Sequence, residues 1–222
     1  MKNVLITGIS KGIGKALAEK FLKEGYFVFG TSVDGQTDLT NENLSVIQLE
    51  LSSPESIANC ANTIIQSGKK IDIQINNAGA ILDEEETTVV PEKLRKTLEI
   101  NLIGPIDLTE KILPVVNEGG HIVNVASSAG SLGLPISESH EMGHYPCYKI
   151  SKTAVNMYTK TLAARLKGKA TVSSVHPGWV KTDLGGKEAP VTPAEAAENI
   201  FKLAVSQPET GQFWFNGEKM PW

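Results

Sequence analysis

The sequence predicts an α/β fold in which a doubly wound parallel sheet is covered by helices on both faces. Two observations support this prediction. Short apolar runs typical of buried strands alternate with segments of helical apolar spacing, and glycine or proline residues mark the boundaries between them. This alternation is typical of βαβ units with right-handed crossovers. Because the 222 residues contain no linker, repeat or low-complexity tract, one domain over residues 1–222 is expected.

The predicted elements follow one another along the chain. Strands are expected at residues 4–6, 26–29, 45–49, 71–75, 121–126, 171–175 and 212–215. Helices are expected at residues 12–24, from Pro54 to just before Gly68, and at 92–116, 148–166 and 193–206. Gly25 is typical of a residue that ends a helix, and Pro54 is typical of a first helical position. The acidic run Asp83-Glu84-Glu85-Glu86 is interpreted as a solvated loop.

Composition and charge exclude several classes of protein. The net charge is −4 and the basic residues are scattered, which argues against a nucleic-acid-binding or membrane-binding surface. No apolar run reaches the ~18 residues of a spanning helix, and the first residues enter a strand, so no signal peptide is expected. Cys60 and Cys147 show no metal-ligand spacing, so no metal site is expected and a reducing, cytoplasmic context is favoured.

A glycine-rich turn joins the first predicted strand to the first helix, with the sequence Thr7-Gly8-Ile9-Ser10-Lys11-Gly12-Ile13-Gly14. Glycines let the backbone turn sharply and approach a pyrophosphate, which the N–H groups at the start of the following helix can hold. A tight turn in an ordinary α/β protein would explain a glycine triplet on its own. The position of this triplet at the first strand–helix junction favours a dinucleotide site.

The spacing T-G-x-x-x-G-x-G resembles that of the short-chain dehydrogenase/reductase family, and four later segments extend the resemblance. The first is Asn76-Asn77-Ala78-Gly79, similar to N-N-A-G, and the second is Ser127-Ser128, similar to S-S-x-x-G, although here only Ala129 stands between Ser128 and Gly130. The third, Tyr148-Lys149-Ile150-Ser151-Lys152, matches Y-x-x-S-K. The fourth, Pro177-Gly178-Trp179-Val180-Lys181-Thr182, is similar to P-G-x-V-x-T. The last residues, from Phe213 to Trp222, resemble the carbonyl-reductase and C-factor-like branch. The resemblance implies a Rossmann-type fold.

The resemblance also implies hydride transfer between NADP(H) and a ketone, an aldehyde or a secondary alcohol. It assigns the catalytic roles to Asn101, Ser128, Tyr148 and Lys152. Tyr148 would donate the proton, Ser128 would hydrogen-bond the substrate oxygen, and Asn101 would hold a water that links Lys152 to solvent. Lys152 follows Tyr148 by four residues on one helix face, so its charge is expected to lower the tyrosine pKa from about 10.

Tyr145 and Lys149 have the same spacing and form an alternative pair. Pro146 disfavours helical conformation at the residue before it, so Tyr145 is expected outside the helix, at the substrate mouth. Tyr148 is therefore preferred. The stretch 130–147 is expected to form a polar flap over the site, with the polar residues Ser137, Glu138, His140, Glu141 and His144.

The resemblance assigns the cofactor contacts to residues at the ends of the predicted strands. They are Gly8, Ser10, Lys11, Gly12, Ile13, Gly14, Ser32, Glu50, Leu51, Asn77, Ala78, Gly79, Tyr148, Lys152, Pro177, Gly178, Val180 and Thr182. Asp34 has the spacing of an acid that favours NAD, but the family's acid position, nearer the strand end, holds Ser32. Lys11 resembles the basic residue that NADP-preferring members place against the 2′-phosphate. NADP is therefore expected, with NAD as the alternative.

Two expectations about partners complete the interpretation. The substrate is expected to be a small-molecule carbonyl compound or alcohol, and the family implies a homo-dimer or homo-tetramer. An alternative function is that of an NAD(P)-binding regulatory or signalling protein with little or no turnover. The intact set of four catalytic residues counts against this alternative.

Overall fold

The computed structural model describes residues 1–135 and 144–222. The strands in this part of the chain are β1 (Asn3–Ile6), β2 (Phe27–Ser32), β3 (Leu44–Gln48), β4 (Ile71–Asn76), β5 (Val116–Val125), β6 (Ala170–Val175), β7 (Gln212–Phe215) and β8 (Glu218–Met220). They form one sheet in the order β3-β2-β1-β4-β5-β6-β7-β8. All neighbours pair in parallel except β7 and β8, which are antiparallel. The predicted α/β fold with a mostly parallel, doubly wound sheet is confirmed.

The α-helices of the described residues are α1 (Gly12–Lys23), α2 (Pro54–Gln66), α3 (Pro91–Leu98), α4 (Gly104–Ile112), α5 (Pro146–Arg165) and α6 (Pro193–Val205). The predicted helical segment over residues 92–116 is confirmed in extent, since the chain is helical from Pro91 to Val115, but it is not one regular α-helix. A π-helical turn, Glu99–Ile103, separates α3 from α4, and the N–H of Gly104 bonds the carbonyl of Glu99. Pro105 has no N–H to donate to the carbonyl four residues earlier, which explains why the regular helical ladder is interrupted here.

Strand β8 was missed although its turn has a clear sequence signal. Asn216 and Gly217 connect β7 to β8, and both have positive φ angles, 49° and 84°. An Asn-Gly pair in this conformation is typical of a two-residue hairpin turn. The hairpin brings the segment from Met220 to Trp222 against Phe213.

The sheet is buried on both faces, as its apolar strands predict. Val4 and Ile6 belong to a core cluster that includes residues of α1 and α6, whereas Leu5, between them, packs with residues of α2 and α4. Helix α5 covers β5 and β6. Because the order in which strands are added to the sheet reverses between β1 and β4, the carboxyl ends of these two parallel strands flank a crevice.

Both cysteines lie inside the fold. Cys60 and Cys147 are both buried and neither forms a disulfide. Burial raises the pKa of the Cys60 thiol to about 12, which leaves it unreactive as a thiolate. Within the described ranges, no helix combines the length and the apolar character that a bilayer crossing requires.

Candidate active site

A cavity of about 840 Å³ opens at the carboxyl ends of β1, β4, β5 and β6. Most of the predicted cofactor contacts line it: Gly8, Ser10, Lys11, Gly12, Ile13, Gly14, Asn77, Ala78, Gly79, Tyr148, Lys152, Pro177, Gly178, Val180 and Thr182. Ser32, Glu50 and Leu51 do not line the cavity. The fold therefore brings these four separate sequence segments to one concave surface.

The glycine-rich turn is closed so tightly that no side chain fits at Gly14. A Cβ at that position would lie 1.9 Å from the carbonyl oxygen of Gly8 and 2.5 Å from Nδ2 of Asn77. Gly8 and Gly12 have φ angles of 75° and 59°, a region that glycine enters at little cost. The backbone of the turn can therefore approach a bound group closely.

The N-terminus of α1 is open to a ligand. In the described structure no side chain caps α1 and its first turn holds no acidic residue, whereas Ser53 caps α2 and Thr192 caps α6. Unpaired N–H groups and the positive end of the helix dipole attract an anion. The cradle of the glycine-rich turn and this open helix end fit the pyrophosphate of a dinucleotide.

The three predicted contacts outside the cavity have other partners. Ser32 donates a hydrogen bond to Oδ1 of Asp34 over 3.1 Å. The carboxylate of Glu50 accepts from the backbone N–H and the hydroxyl of Ser52, so it closes a local turn. Leu51 is buried in the core, and its carbonyl oxygen would lie 2.2 Å from a Cβ at Gly104. Leu51 thus packs against α4 rather than facing the cavity.

Lys11 forms an ion pair across the cavity rim. Its Nζ lies 2.5 Å from Oδ2 of Asp183, and both side chains are about three-quarters exposed. The sequence analysis expected Lys11 to meet a 2′-phosphate, and the structure shows that Asp183 competes for the same ammonium group. Exposed ion pairs contribute little stability, so a phosphate can replace this carboxylate.

Helix α5 carries the tyrosine and lysine of the Y-x-x-S-K segment. The helix begins at Pro146, and Tyr145 precedes it with φ 58° and ψ 43°, which confirms that Tyr145 lies outside the helix. Nζ of Lys152 lies 5.6 Å from the ring centroid of Tyr148 and donates to the carbonyl oxygen of Val125 over 2.8 Å. Burial lowers the pKa of Lys152 to about 8.

The expected lowering of the Tyr148 pKa was wrong for this structure. Burial raises the pKa of the Tyr148 phenol, and a hydrogen bond with the side chain of Ser127 offsets only part of that effect. Desolvation disfavours the charged form of an acid, so the surroundings of Tyr148 favour the protonated phenol over the tyrosinate.

Of the two adjacent serines, the structure brings Ser127 and not Ser128 to the cavity. The backbone of Ser127 is extended, and its side chain caps the short 3₁₀ turn Ser128–Gly130 and bonds Tyr148. The N–H of Ser128 instead donates to Nδ1 of His176 over 3.3 Å. The sequence held a signal for this choice, because S-x-x-G counted back from Gly130 gives Ser127.

Asn101 lies in the π-helical turn and ties three elements together. Its Oδ1 accepts from the N–H of Ala80 and its Nδ2 donates to the carbonyl of Ala80, both over 2.8 Å. Nδ2 also donates to Oγ of Ser151 over 3.1 Å. A Cβ at Gly79 would lie 3.2 Å from Oδ1 of Asn101 and 3.6 Å from Nζ of Lys152. Asn101 thus fixes the segment after β4 against α5, immediately beside Lys152.

The far end of the cavity is formed by apolar and aromatic side chains, of which the sequence analysis assigned only Tyr145, to the substrate mouth. Ile81, Tyr145, Trp179 and Leu184 line this end. The indole of Trp179 is half exposed, and its Nε1 donates to the carbonyl of Gly185 over 2.6 Å. Such surfaces suit the apolar part of a small-molecule ligand.

The interpretation of residues 83–86 as a solvated loop was wrong for Asp83. Asp83 is fully buried, and its Oδ2 accepts a hydrogen bond from the N–H of Cys147 over 2.6 Å. Of the expected polar flap, His144 is described and lies beside Tyr145, with ring centroids 6.0 Å apart. Ser137, Glu138, His140 and Glu141 lie outside the described residues.

The fold and the site define a class of protein. A doubly wound parallel sheet with its cavity beside the β1–β4 reversal, and with an open helix N-terminus in that cavity, is the arrangement of dinucleotide-binding α/β proteins. Residues 2–191 match the family model described as short chain dehydrogenase. The chain therefore belongs to the short-chain dehydrogenase family of oxidoreductases.

Individual relatives agree with this assignment. The chain is 31% identical over 221 residues to the 1-hydroxy-2-glutathionyl-2-methyl-3-butene dehydrogenase of Rhodococcus sp. strain AD45, with 96% of both chains covered. It is similar to NADPH-bound carbonyl reductase from chicken fatty liver, with a TM-score of 0.88 and 26% identity over 100% of this chain and 99% of that one. Carbonyl reductase Sniffer of D. melanogaster gives the same TM-score and identity over 100% of both chains. The resemblance to the carbonyl-reductase branch is confirmed.

Proposed function

We propose that this protein transfers hydride between NADP(H) and a small ketone or aldehyde, or the corresponding alcohol. The observation that carries the proposal is the Tyr148 phenol, which lines the cavity half-buried, interacts with the side chain of Ser127 and is followed on the same helix face by Lys152. A proton donor, a hydrogen-bonding hydroxyl and a cation beside one cavity are the groups that carbonyl reduction needs.

Each side chain has a defined task in the proposed reaction. A bound nicotinamide dinucleotide supplies the hydride to the carbonyl carbon. The phenol of Tyr148 gives its proton to the carbonyl oxygen as the C=O bond becomes a C–O–H group, and Ser127 holds that oxygen by a hydrogen bond. The tyrosinate that remains lies beside Lys152, whose positive charge at neutral pH stabilises it until a proton from solvent restores the phenol.

The raised pKa of Tyr148 supports its role as an acid. A phenol whose pKa is raised stays protonated at neutral pH and is ready to donate in the direction of reduction. In the direction of alcohol oxidation the phenol must first lose its proton. Reduction therefore starts from the protonated form of Tyr148, and oxidation starts from its tyrosinate form.

The residues of the cavity would hold the cofactor at its two ends. The glycine-rich turn and the start of α1 would bind the pyrophosphate, and the segment from Pro177 to Thr182 would lie beside the nicotinamide. The chicken carbonyl reductase with NADPH and the exposed Lys11 support NADP(H). Asp34, bonded to Ser32 at the end of β2, is the feature that favours NAD(H) instead.

The test is nucleotide oxidation by the purified protein, with NADPH and NADH compared over aldehydes, ketones and diketones. Tyr148→Phe is expected to lower kcat by about a thousandfold while the dissociation constant of NADPH stays within about twofold. Tyr145→Phe is the matched control, since it removes the competing hydroxyl at the cavity mouth, and it should retain turnover. Binding of NADPH with no turnover on any compound would contradict the proposal and favour a regulatory protein.

A further inference from the structure

Asp83 connects two walls of the cavity that are far apart in sequence. It lies in the connection between β4 and α3, two residues after the cavity-lining Ile81. Its side chain is fully buried, and its Oδ2 accepts from the backbone N–H of Cys147 over 2.6 Å, across 64 residues of sequence. Cys147 immediately precedes Tyr148 in the first turn of α5. A buried carboxylate therefore contacts the turn that carries the proposed proton donor.

The start of α5 lacks the usual local means of satisfying its backbone. Tyr145, the residue before the helix, has a left-handed backbone, and among the described residues its side chain makes no capping bond. Pro146 has no N–H, so the N–H of Cys147 is the first one of the helix that needs a partner. Asp83 supplies the acceptor that a capping side chain would otherwise provide, and its negative charge suits the positive end of the helix.

The segment after β4 is held against α5 at two points. Asn101 holds Ala80 by its pair of hydrogen bonds and also bonds Ser151 of α5. Asp83, three residues later, holds Cys147. The wall that carries Ile81 and the helix that carries Tyr148 are thus joined on both sides of Ile81. Loss of the hydrogen bond between Asp83 and Cys147 would let the first turn of α5 move relative to Ser127 without affecting the hydrogen bonds of Asn101.

We propose that Asp83 is a positioning residue that sets the Tyr148 hydroxyl against Ser127 by capping α5 from a distant part of the chain. The proposal rests on the function proposed above. Proton transfer depends steeply on geometry, and a misplacement of about 1 Å costs on the order of a hundredfold in rate. The glycine-rich turn lies at the other end of the cavity and does not touch Asp83, so cofactor binding should be insensitive to the loss of this contact.

The surroundings of Asp83 show which property of the side chain matters. Its Oδ1 has no hydrogen-bond partner among the described residues. Lys93 interacts electrostatically with Asp83 but forms its ion pair with Glu86. Glu86 also faces this region, together with the Cys147 thiol. Asp83 therefore contributes one directional acceptor rather than a direct ion pair. An asparagine can offer the same acceptor with its amide oxygen and place its NH₂ group where Oδ1 now lies.

The test compares Asp83→Ala, Asp83→Asn and Glu84→Ala. Glu84 is an exposed acid of the same loop and is the matched control. For each variant, kcat with a carbonyl substrate, the dissociation constant of NADPH, the melting temperature and amide hydrogen exchange of the first turn of α5 are measured. Asp83→Ala is expected to lower kcat by about tenfold or more and to speed exchange at Cys147, with NADPH affinity unchanged. Asp83→Asn should restore kcat to within about threefold of the wild type, and the control variant Glu84→Ala should have the kcat of the wild type.

Several outcomes would overturn the proposal. They are an unchanged kcat in Asp83→Ala, an Asp83→Asn variant as slow as Asp83→Ala, or a parallel loss of kcat, NADPH affinity and melting temperature. If Asp83→Ala does not fold, Asp83→Glu gives the same contrast with Asp83→Asn, because it keeps the charge and displaces the acceptor by one methylene. If the wild type turns over no substrate, the proposed function fails and the positioning role fails with it. If the wild type and Asp83→Ala turn over equally, only the positioning role fails.

Discussion

The two ends of the cavity are built in different ways. At the cofactor end, Gly8, Gly12 and Gly14 lie within one short turn, and the features that matter are backbone conformation and the absence of side chains. At the catalytic end, Tyr148 depends on contacts from residues far away in the chain, among them Ser127 and, through Cys147, Asp83. The cofactor end is therefore a local structure, whereas the catalytic end exists only in the folded chain.

This difference predicts how each end responds to substitution. A change at the cofactor end should alter nucleotide affinity and leave the chemical step of the bound complex intact. A change at the catalytic end should alter the rate and leave nucleotide affinity intact. If a variant changes only nucleotide affinity or only the rate, the two ends are independent. If it changes both, they are not.

The largest effect is expected for Gly14→Ala. The new Cβ would lie 1.9 Å from the carbonyl oxygen of Gly8, so the turn must open by more than a bond length to accept it. Because the open N–H groups of α1 then move away from the pyrophosphate, NADPH affinity should fall by about a hundredfold or more. Isothermal calorimetry measures this affinity, and circular dichroism checks that the fold persists. Affinity within a few-fold of the wild type would show that the turn adapts and that its closure is not needed.

A contrast between two neighbouring serines tests the catalytic end. Ser127→Ala removes the hydroxyl bonded to Tyr148 and should lower kcat by about a hundredfold, the usual cost of losing one donor at a developing oxyanion. Ser128→Ala, the matched control, should stay within a few-fold, since Ser128 does not line the cavity. Both variants should bind NADPH like the wild type. The reverse order of the two rates would restore Ser128 as the functional serine.

The same contrast explains how much the sequence could predict. The glycine-rich turn and the βα alternation are local patterns, so the fold and the position of the cavity could be predicted from them. Most of the cofactor contacts that the family resemblance implied also line this cavity. Ser128 was chosen over Ser127 although S-x-x-G counted back from Gly130 indicates Ser127. The assignment of Asp83 to solvent, in contrast, could not be recognised as an error from its neighbours in sequence. The burial of Asp83 depends on α5 packing beside it, and Cys147 is 64 residues away. Similarly, the raised pKa of Tyr148 depends on burial, which a Tyr–Lys spacing does not reveal.

A smaller effect is expected at the rim, where the ion pair of Lys11 and Asp183 spans the cavity. Lys11→Glu should weaken NADPH by about tenfold relative to NADH, because it replaces a cation near the 2′-phosphate by an anion. Asp183→Asn should strengthen NADPH by a few-fold and leave NADH unchanged, since it frees the ammonium group. Fluorescence titration with both nucleotides measures the ratio. Equal effects on NADPH and NADH in both variants would mean that Lys11 does not contact the 2′-phosphate and that Asp34 is the better guide to the cofactor.

The smallest effect at neutral pH is expected for the protonation of His121, a buried residue of β5. The ring bridges the carbonyl oxygen of Ala204, which can only accept, and the hydroxyl of Ser173, so Nδ1 carries the proton and Nε2 accepts. Burial lowers the pKa of His121 from 6.5 to about 4. Above pH 6.5 the ring is neutral in both the folded and the unfolded chain, and its contribution to stability is fully present. As the pH falls from 6.5 towards 4, only the unfolded chain takes up the proton, and about 3 kcal/mol of stability is lost.

The pH dependence of stability and the pH dependence of the rate distinguish the sheet around His121 from the catalytic end of the cavity. Urea unfolding between pH 7 and 4.5 should show a decline in the free energy of unfolding that His121→Gln reduces, because glutamine can also donate and accept but does not titrate. The rate of carbonyl reduction should instead decline above about pH 8, where the buried Lys152 loses its charge and no longer stabilises the tyrosinate. Lys152 loses its proton at lower pH in the folded chain than in the unfolded chain, so it should make the free energy of unfolding rise, not fall, between pH 8 and 10.5. A rate that declines above about pH 8 without a loss of stability therefore belongs to the catalytic end. A decline of rate and stability together in that range would show that the rate is lost through unfolding and not through the titration of Lys152.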